Sequence, residues 1–240
     1  MSVTTRIQEL NNRLATNLVS KGVSAEGTET TTELINKVND IETGGTSVIN
    51  PEWTDWRYFS YYDNRNDLVA KLKYSDTANG KNFSNMFYAF SSLTTIPQLD
   101  TSNGKNFGAM FNGCSALTSI LQLSTSNGTN FNGMFSACTA LTTISLLNMS
   151  SMSGTSCINM FYNCTALENV TFEGTIPVRG NMSVFSSCPN LTVESLMSFI
   201  NALTNMSDTA TYTITIGSTN LAKLTEEQIQ IATDKRITLQ

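Results

Sequence analysis

The sequence contains no histidine, and few of its residues carry a charge. Aspartate, glutamate, lysine and arginine make up 14% of the 240 residues, and the formal net charge is −5. A nucleic-acid-binding surface needs a basic stripe, so this balance argues against DNA or RNA as a partner. Histidine is a frequent general base and metal ligand, and the few carboxylates are not paired at equivalent positions. We therefore predict that the protein is not an enzyme and has no catalytic residue, metal site or cofactor.

Long apolar runs are also missing. No run approaches the about 20 residues of a membrane-spanning helix, and the segment from Met1 to Leu10 has no apolar core of the kind found in secretory signal peptides. The sequence therefore predicts neither a membrane span nor a secretion signal. Hydrophobic residues nevertheless make up 40% of the chain and recur at regular places, which favours a folded protein.

A short phrase recurs through the middle of the chain. Its Met-Phe pairs begin at Met86, Met110, Met134 and Met160, with a degenerate copy at Val184, and they are spaced 24, 24, 26 and 24 residues apart. A fixed period in this range is typical of a solenoid, in which each unit buries its apolar face by stacking on its neighbours. We predict an α/β solenoid of about five units over residues 68–192.

Each unit divides into three parts. Phe83, Met86, Phe87 and Phe90 fall at i, i+3, i+4 and i+7, which predicts one apolar face of a short helix. Threonine-rich, β-branched segments follow and predict short parallel strands. These segments are residues 93–96, 117–120, 141–144 and 167–170. Ser-Asn-Gly tripeptides then predict the turn into the next unit.

Four cysteines repeat with the units. They are Cys114, Cys138, Cys164 and Cys188, at steps of 24, 26 and 24 residues. Ala89 falls near that place in the first unit, which suggests a position for small apolar side chains. We predict a ladder of buried, reduced thiols, with disulfides between neighbouring units and a metal site as the alternatives. Cys157 has no evident place in this series.

The two ends of the chain differ from the repeats. Residues 1–45 predict a helical module in which Val3, Ile7, Leu10 and Leu14 have the spacing of a coiled-coil seam. So short a seam is marginal alone, which favours anchoring and homo-oligomerisation, a trimer rather than a dimer. Residues 46–67 are dense in aromatics and predict a cap, with a carbohydrate-stacking platform as the alternative. Residues 193–240 predict a C-terminal α/β cap.

The unit Phe-x-x-Met-Phe-x-x-Cys-x-x-Leu-Thr-x-Ile resembles the BspA-like leucine-rich repeats of bacterial surface proteins and bacteriophage virion proteins. Residues 17–35 resemble the N-terminal module of phage tail and fibre proteins, and residues 218–225 resemble the ending of phage proteins with these repeats. The resemblance implies a structural protein of the virion, assembled in the host cytoplasm as part of a head or tail fibre or baseplate. Its N-terminal helices would attach it to other virion proteins. The alternative is a bacterial cell-surface adhesin.

A candidate ligand-contact face lies between the buried leucine and isoleucine of each predicted strand. Its members are Thr94, Thr95, Thr118, Ser119, Thr142, Thr143, Glu168 and Asn169. Parallel strands would stack these side chains about 4.8 Å apart. Such a weakly charged ladder suits a host-surface glycan or protein better than a phosphate backbone. The alternative is that the threonines serve only strand propensity and solubility.

Overall fold

The computed structural model describes Asn12 and five longer parts of the chain. These are residues 77–96, 99–120, 123–154, 156–206 and 210–240. Asn12 is exposed and has helical backbone conformation. The predicted anchor residues Val3, Ile7, Leu10 and Leu14 and the aromatic segment 46–67 lie outside the described residues, so both stay predictions.

The described residues have mixed α/β structure with short elements. The strands are β1 (Ser119–Ile120), β2 (Thr143–Asn148), β3 (Asn169–Glu173), β4 (Met182–Ser183), β5 (Tyr212–Thr215) and β6 (Ile237–Leu239). The helices are α1 (Val193–Ala202), α2 (Ser218–Leu221) and α3 (Glu226–Asp234). The strands form two parallel sheets, ordered β1-β2-β3 and β4-β5-β6. This arrangement is consistent with leucine-rich-repeat-like units.

The first sheet joins equivalent segments of successive repeat copies. Ser119 pairs with Thr143, and Thr143 pairs with Asn169, in parallel register. The predicted parallel pairing is therefore confirmed for these three copies. Residues 93–96 do not form a strand, although the Thr118 N–H donates to the Thr94 carbonyl oxygen at 3.2 Å.

The predicted short helices are wrong, because these segments are series of turns. An α-helix would direct each N–H to the carbonyl four residues earlier. Here the N–H groups of Asn85, Phe87 and Ala89 donate instead to carbonyl oxygens of the next copy, at 2.7 to 3.0 Å. Asn85 and Ala89 also have φ angles of 58° and 60°, in the left-handed region. The i, i+3, i+4, i+7 burial pattern arises from these turns.

The left-handed positions recur in the four copies that carry a Met-Phe pair. The first series is Asn85, Ala109, Gly133 and Asn159, and the second is Ala89, Gly113, Ala137 and Asn163. Glycine and asparagine tolerate this region, whereas alanine is strained in it. The repeated turn conformation frees backbone N–H groups to bond between copies, and it is this bonding that compensates the strain.

Phenylalanine rings form two buried stacks through the repeats. In the longer stack, Phe87, Phe111, Phe135, Phe161 and Phe185 follow one another with ring centroids 5.2 to 5.7 Å apart. All five rings are buried. Each ring contributes apolar burial, and offset stacking adds about 0.5–1.5 kcal/mol per pair. Stacking between copies therefore forms the core, as the repeat period predicts.

The shorter stack contains Phe83, Phe107 and Phe131, with centroids 5.7 Å apart. A glycine three residues before each ring makes room for it. A Cβ atom added at Gly128 would lie 2.3 Å from Cζ of Phe131, and Gly80 and Gly104 are equally close to their own rings. Any side chain at these glycines would collide with an aromatic ring.

The fourth copy has different residues at the positions of this glycine and this phenylalanine, and Cys157 is one of them. The Met152 N–H donates to the Met149 carbonyl oxygen, and the Gly128 N–H donates to the Thr125 carbonyl oxygen in the same way. Met152 therefore occupies the position of Gly128. Ser156 accepts from Phe131 as Asn130 accepts from Phe107, so Cys157 occupies the position of Phe131. A methionine thus replaces the glycine in the copy where a cysteine replaces the phenylalanine. Both replacements are buried.

The C-terminal segment packs against the last ring of the longer stack. Phe199 on α1 packs edge-on against Phe172 and Phe185, with centroids 5.2 and 5.1 Å away. The segment contains the helices α1, α2 and α3, and its strands β5 and β6 form the second sheet together with β4. Thr225 and Gln228 form a capping box at the start of α3. Among the described residues, no helix has the length and apolar character needed to cross a membrane.

Candidate functional site

The eight residues of the predicted ligand-contact face lie in two adjacent columns, at the start of the first sheet and in the copy that precedes it. The first column is Thr94, Thr118, Thr142 and Glu168, and the second column is Thr95, Ser119, Thr143 and Asn169. All eight are exposed or half-buried. The structure therefore brings the predicted residues together, one copy above another.

The first column is used to hold the copies together. The Thr118 hydroxyl donates to the Thr94 carbonyl oxygen at 3.3 Å, and the Thr142 hydroxyl donates to the Thr118 carbonyl oxygen at 3.0 Å. Each hydrogen bond of this kind contributes about 1 kcal/mol to stability. Here the alternative interpretation, in which the threonines serve the fold, describes the hydroxyls correctly.

Side chains elsewhere connect copies in the same way. The Thr129 hydroxyl donates to the Lys105 carbonyl oxygen at 3.0 Å, and the Asn127 amide donates to the Ser102 carbonyl oxygen at 2.7 Å. Serine, threonine and asparagine side chains therefore stabilise the stack in addition to keeping its surface hydrated.

The second column differs from the first. Within the described parts of the chain, the side chains of Thr95, Ser119 and Thr143 make no hydrogen bond. The strand register stacks Ser119, Thr143 and Asn169 directly beside one another. A hydroxyl can donate one hydrogen bond and accept two, and an amide can do both. The second column therefore offers a row of uncommitted polar groups to a ligand.

A cleft beside this face was not predicted from the sequence. It has a volume of about 310 Å³. Among described residues it is lined by Leu123, Ser124, Thr125, Ser126, Leu146, Asn148 and Glu173. The sequence carried a faint signal for it, because the position of Leu146 is held by Gln98 and Gln122 in the two preceding copies.

The cysteine prediction is confirmed. All five cysteines are buried and free. The Cys138 thiol donates to the Phe111 carbonyl oxygen at 3.1 Å, and Cys164 repeats this contact with Phe135 at 2.9 Å. Burial raises the pKa of Cys164 to about 12. These thiols are protonated structural groups.

The predicted place of Ala89 in the cysteine series is wrong. Ala89 does not hold the cysteine position in the first copy, because the Phe90 N–H donates to the Phe87 carbonyl oxygen as the Cys114 N–H does to Phe111. Phe90 therefore stands in that place. It is buried and packs edge-on against Phe87 with centroids 5.6 Å apart. The position accepts a large ring in this copy.

Comparison with known families agrees with the repeat architecture. The family described as "BspA type Leucine rich repeat region (6 copies)" matches residues 132–230. The family described as "Mycoplasma protein of unknown function, DUF285" matches residues 57–173. No curated protein and no solved structure shows significant similarity to the chain. The two family matches support a BspA-like leucine-rich-repeat protein, and a repeat domain of this kind suggests surface recognition or an adhesin-like function.

Proposed function

We propose that the protein is a non-enzymatic recognition protein whose first sheet binds a glycan or protein on a cell surface. The observation that carries this proposal is the second column. Ser119, Thr143 and Asn169 are stacked by the strand register, and Thr95 holds the same place in the preceding copy. Within the described residues, none of these four side chains makes a hydrogen bond.

The chemistry of this face indicates the kind of partner. The second column carries no charge, and Glu168 is the one charged residue among the eight residues of the face. A face without cations gains nothing from releasing the counterions of a phosphate backbone, so nucleic acid is disfavoured. Repeated hydroxyl and amide groups favour a partner with many weak hydrogen-bonding groups in a row.

A lysine substitution tests the proposal. The triple variant T95K/S119K/T143K adds bulk and charge to the second column, and we expect binding of the labelled full-length protein to a panel of intact bacterial cells to fall at least tenfold. The matched control is T211K/T219K/T238K, which adds the same charge at exposed threonines outside the first sheet. Unchanged binding by the first variant, with both melting temperatures near wild type, would assign the face to the scaffold.

A finer proposal follows from the sequence resemblance of residues 17–35 and 218–225 to phage proteins. In it, the chain is a head or tail fibre or baseplate-associated protein of a bacteriophage virion, with about five solenoid units displayed outward. Its N-terminal helices attach it to other virion proteins and to sister subunits, most simply as a trimer. A bacterial adhesin is the competing assignment.

The oligomer in this finer proposal can be tested in the full chain. The variant L10D/L14D places charges in the predicted seam, whereas N12D adds a charge at an exposed position of the same segment. We expect light scattering to give a monomer for the double variant and an oligomer for wild type and N12D. An unchanged oligomer in all three would place the contact elsewhere, and a monomeric wild type would reject the oligomer.

A further inference from the structure

The first sheet has one irregularity, and it lies in β2. Ile144 pairs with Val170 and Leu147 pairs with Phe172, so β2 has one more residue between these pairs than β3. A bulge of this kind redirects side chains and is common beside functional sites. Leu146 is 45% exposed, whereas Ile144 and Leu147 on either side are buried.

The exposed leucine forms the apolar part of the cleft described above. Leu123, which is almost fully buried, lines the same cleft. The two preceding copies have glutamine at the position of Leu146, namely Gln98 and Gln122. Among these three copies, only the third has an apolar residue there. One exposed leucine would need no explanation by itself, but this one is joined to a concave surface with polar walls.

The polar wall repeats from copy to copy. Asn148 pairs with Glu173, and Ser124 precedes Asn148 by one repeat of 24 residues. A hydroxyl, an amide and a carboxylate therefore lie in a row beside Leu146. The Asn148 side-chain oxygen accepts from the Ser150 N–H at 3.0 Å, which fixes the amide. The Thr125 hydroxyl accepts from the Asn148 N–H at 2.8 Å, and this hydrogen bond joins the two neighbouring copies that line the cleft.

From this arrangement we infer that the cleft binds one ring of a neutral glycan. The inference rests on the proposed recognition function and names its ligand class. A sugar ring has an apolar C–H face, which fits Leu146, and an edge of hydroxyls, which fits a row of amide and carboxylate acceptors. A volume of about 310 Å³ is at the lower end of small-molecule sites, which suits a single ring. The Glu173 carboxylate disfavours acidic sugars through charge repulsion.

Saturation-transfer NMR on the full-length protein tests the inference. The probes are the methyl glycosides of glucose, galactose, mannose and N-acetylglucosamine, with methyl glucuronide as the acidic comparison. We expect wild type to saturate the ring protons of at least one neutral glycoside and not those of the glucuronide. The variant L146Q restores the residue found in the preceding copies, and it should reduce the signal at least fivefold without lowering the melting temperature.

The variants L146Q and T95K/S119K/T143K distinguish a wrong inference about the cleft from a wrong assignment of the ligand-contact face. Absence of signal from all four neutral glycosides, or an undiminished signal in folded L146Q, would overturn the cleft inference, as would binding of the glucuronide alone. In T95K/S119K/T143K the cleft residues are intact, so the glycoside signal should persist while cell binding falls. Persistent cell binding by this variant would reject the proposed face, and loss of its glycoside signal would reject a separate site in the cleft.

Discussion

The exchange of Gly128 and Phe131 for Met152 and Cys157 in the next copy predicts a strong coupling between the two positions. Replacing Phe131 by cysteine removes most of a fully buried ring and should cost about 3 kcal/mol of unfolding free energy. Replacing Gly128 by methionine forces an atom to within 2.3 Å of that ring and should cost about 1–3 kcal/mol. In the double variant G128M/F131C the new side chain enters the space that the ring vacates.

We therefore expect the double variant to be more stable than the sum of the single costs by about 2 kcal/mol. Urea unfolding followed by circular dichroism measures the four corners of the cycle. The matched control is G128M/F135C, because Phe135 belongs to the other ring stack, and its two costs should add. A double variant G128M/F131C whose costs also add to within about 0.5 kcal/mol would refute the reasoning that each pair shares one volume.

Three further predictions concern the buried thiols and the backbone. Alkylating reagent at pH 8 should leave all five thiols of the native protein unmodified and react with all five in urea, and rapid modification of native protein would contradict their burial. Because burial raises the pKa of Cys114 and Cys157 to about 12 from 9.0, their stabilising effect is complete below pH 9 and is lost as the pH rises toward 12. Urea unfolding should show a loss of about 1.4 kcal/mol per pH unit for each thiol in that window. Gly133 has φ +61°, and a Cβ there would make only ordinary van der Waals contact, with its nearest neighbour, the Asn112 amide nitrogen, 3.5 Å away. Gly133→Ala should therefore destabilise by about 1 kcal/mol through the backbone conformation alone, and Ala137→Gly, at φ 59°, should stabilise by a similar amount; equal effects of the same sign would contradict the left-handed conformation.

The sequence was sufficient to predict which residues are buried, but not the backbone that buries them. A residue that repeats every 24 positions must stack on its own copies, so Phe87, Phe111 and Phe135 could be placed in a core from spacing alone. Helices and consecutive turns share the i, i+3, i+4 spacing. The signal that separates them is the recurrence of asparagine, glycine or alanine at the left-handed positions, such as Asn85 and Gly133, which a helix would not require.

The candidate site was predictable only in part, for two physical reasons. Hydroxyls of the first and second columns have the same composition and spacing, and the hydrogen bond from Thr142 to the Thr118 carbonyl depends on side-chain geometry. The cleft depends on a bulge, and the one extra residue in β2 becomes visible only when Leu147 is paired with Phe172. The sequence shows that Leu146 stands where the two preceding copies have glutamine. That this leucine lies at a bulge could be seen only from the pairing of β2 with β3.

Blocking the second column with a bulky label tests the recognition proposal most directly. Because the native cysteines are buried, a maleimide carrying polyethylene glycol should react only with the new thiol of Ser119→Cys. We predict that labelling this variant abolishes its binding to bacterial cells, whereas the unlabelled variant binds normally. The same label on Thr238→Cys, at an exposed position of β6, should leave binding intact. Full binding by labelled Ser119→Cys, at complete modification, would contradict the proposal that this face recognises the cell surface.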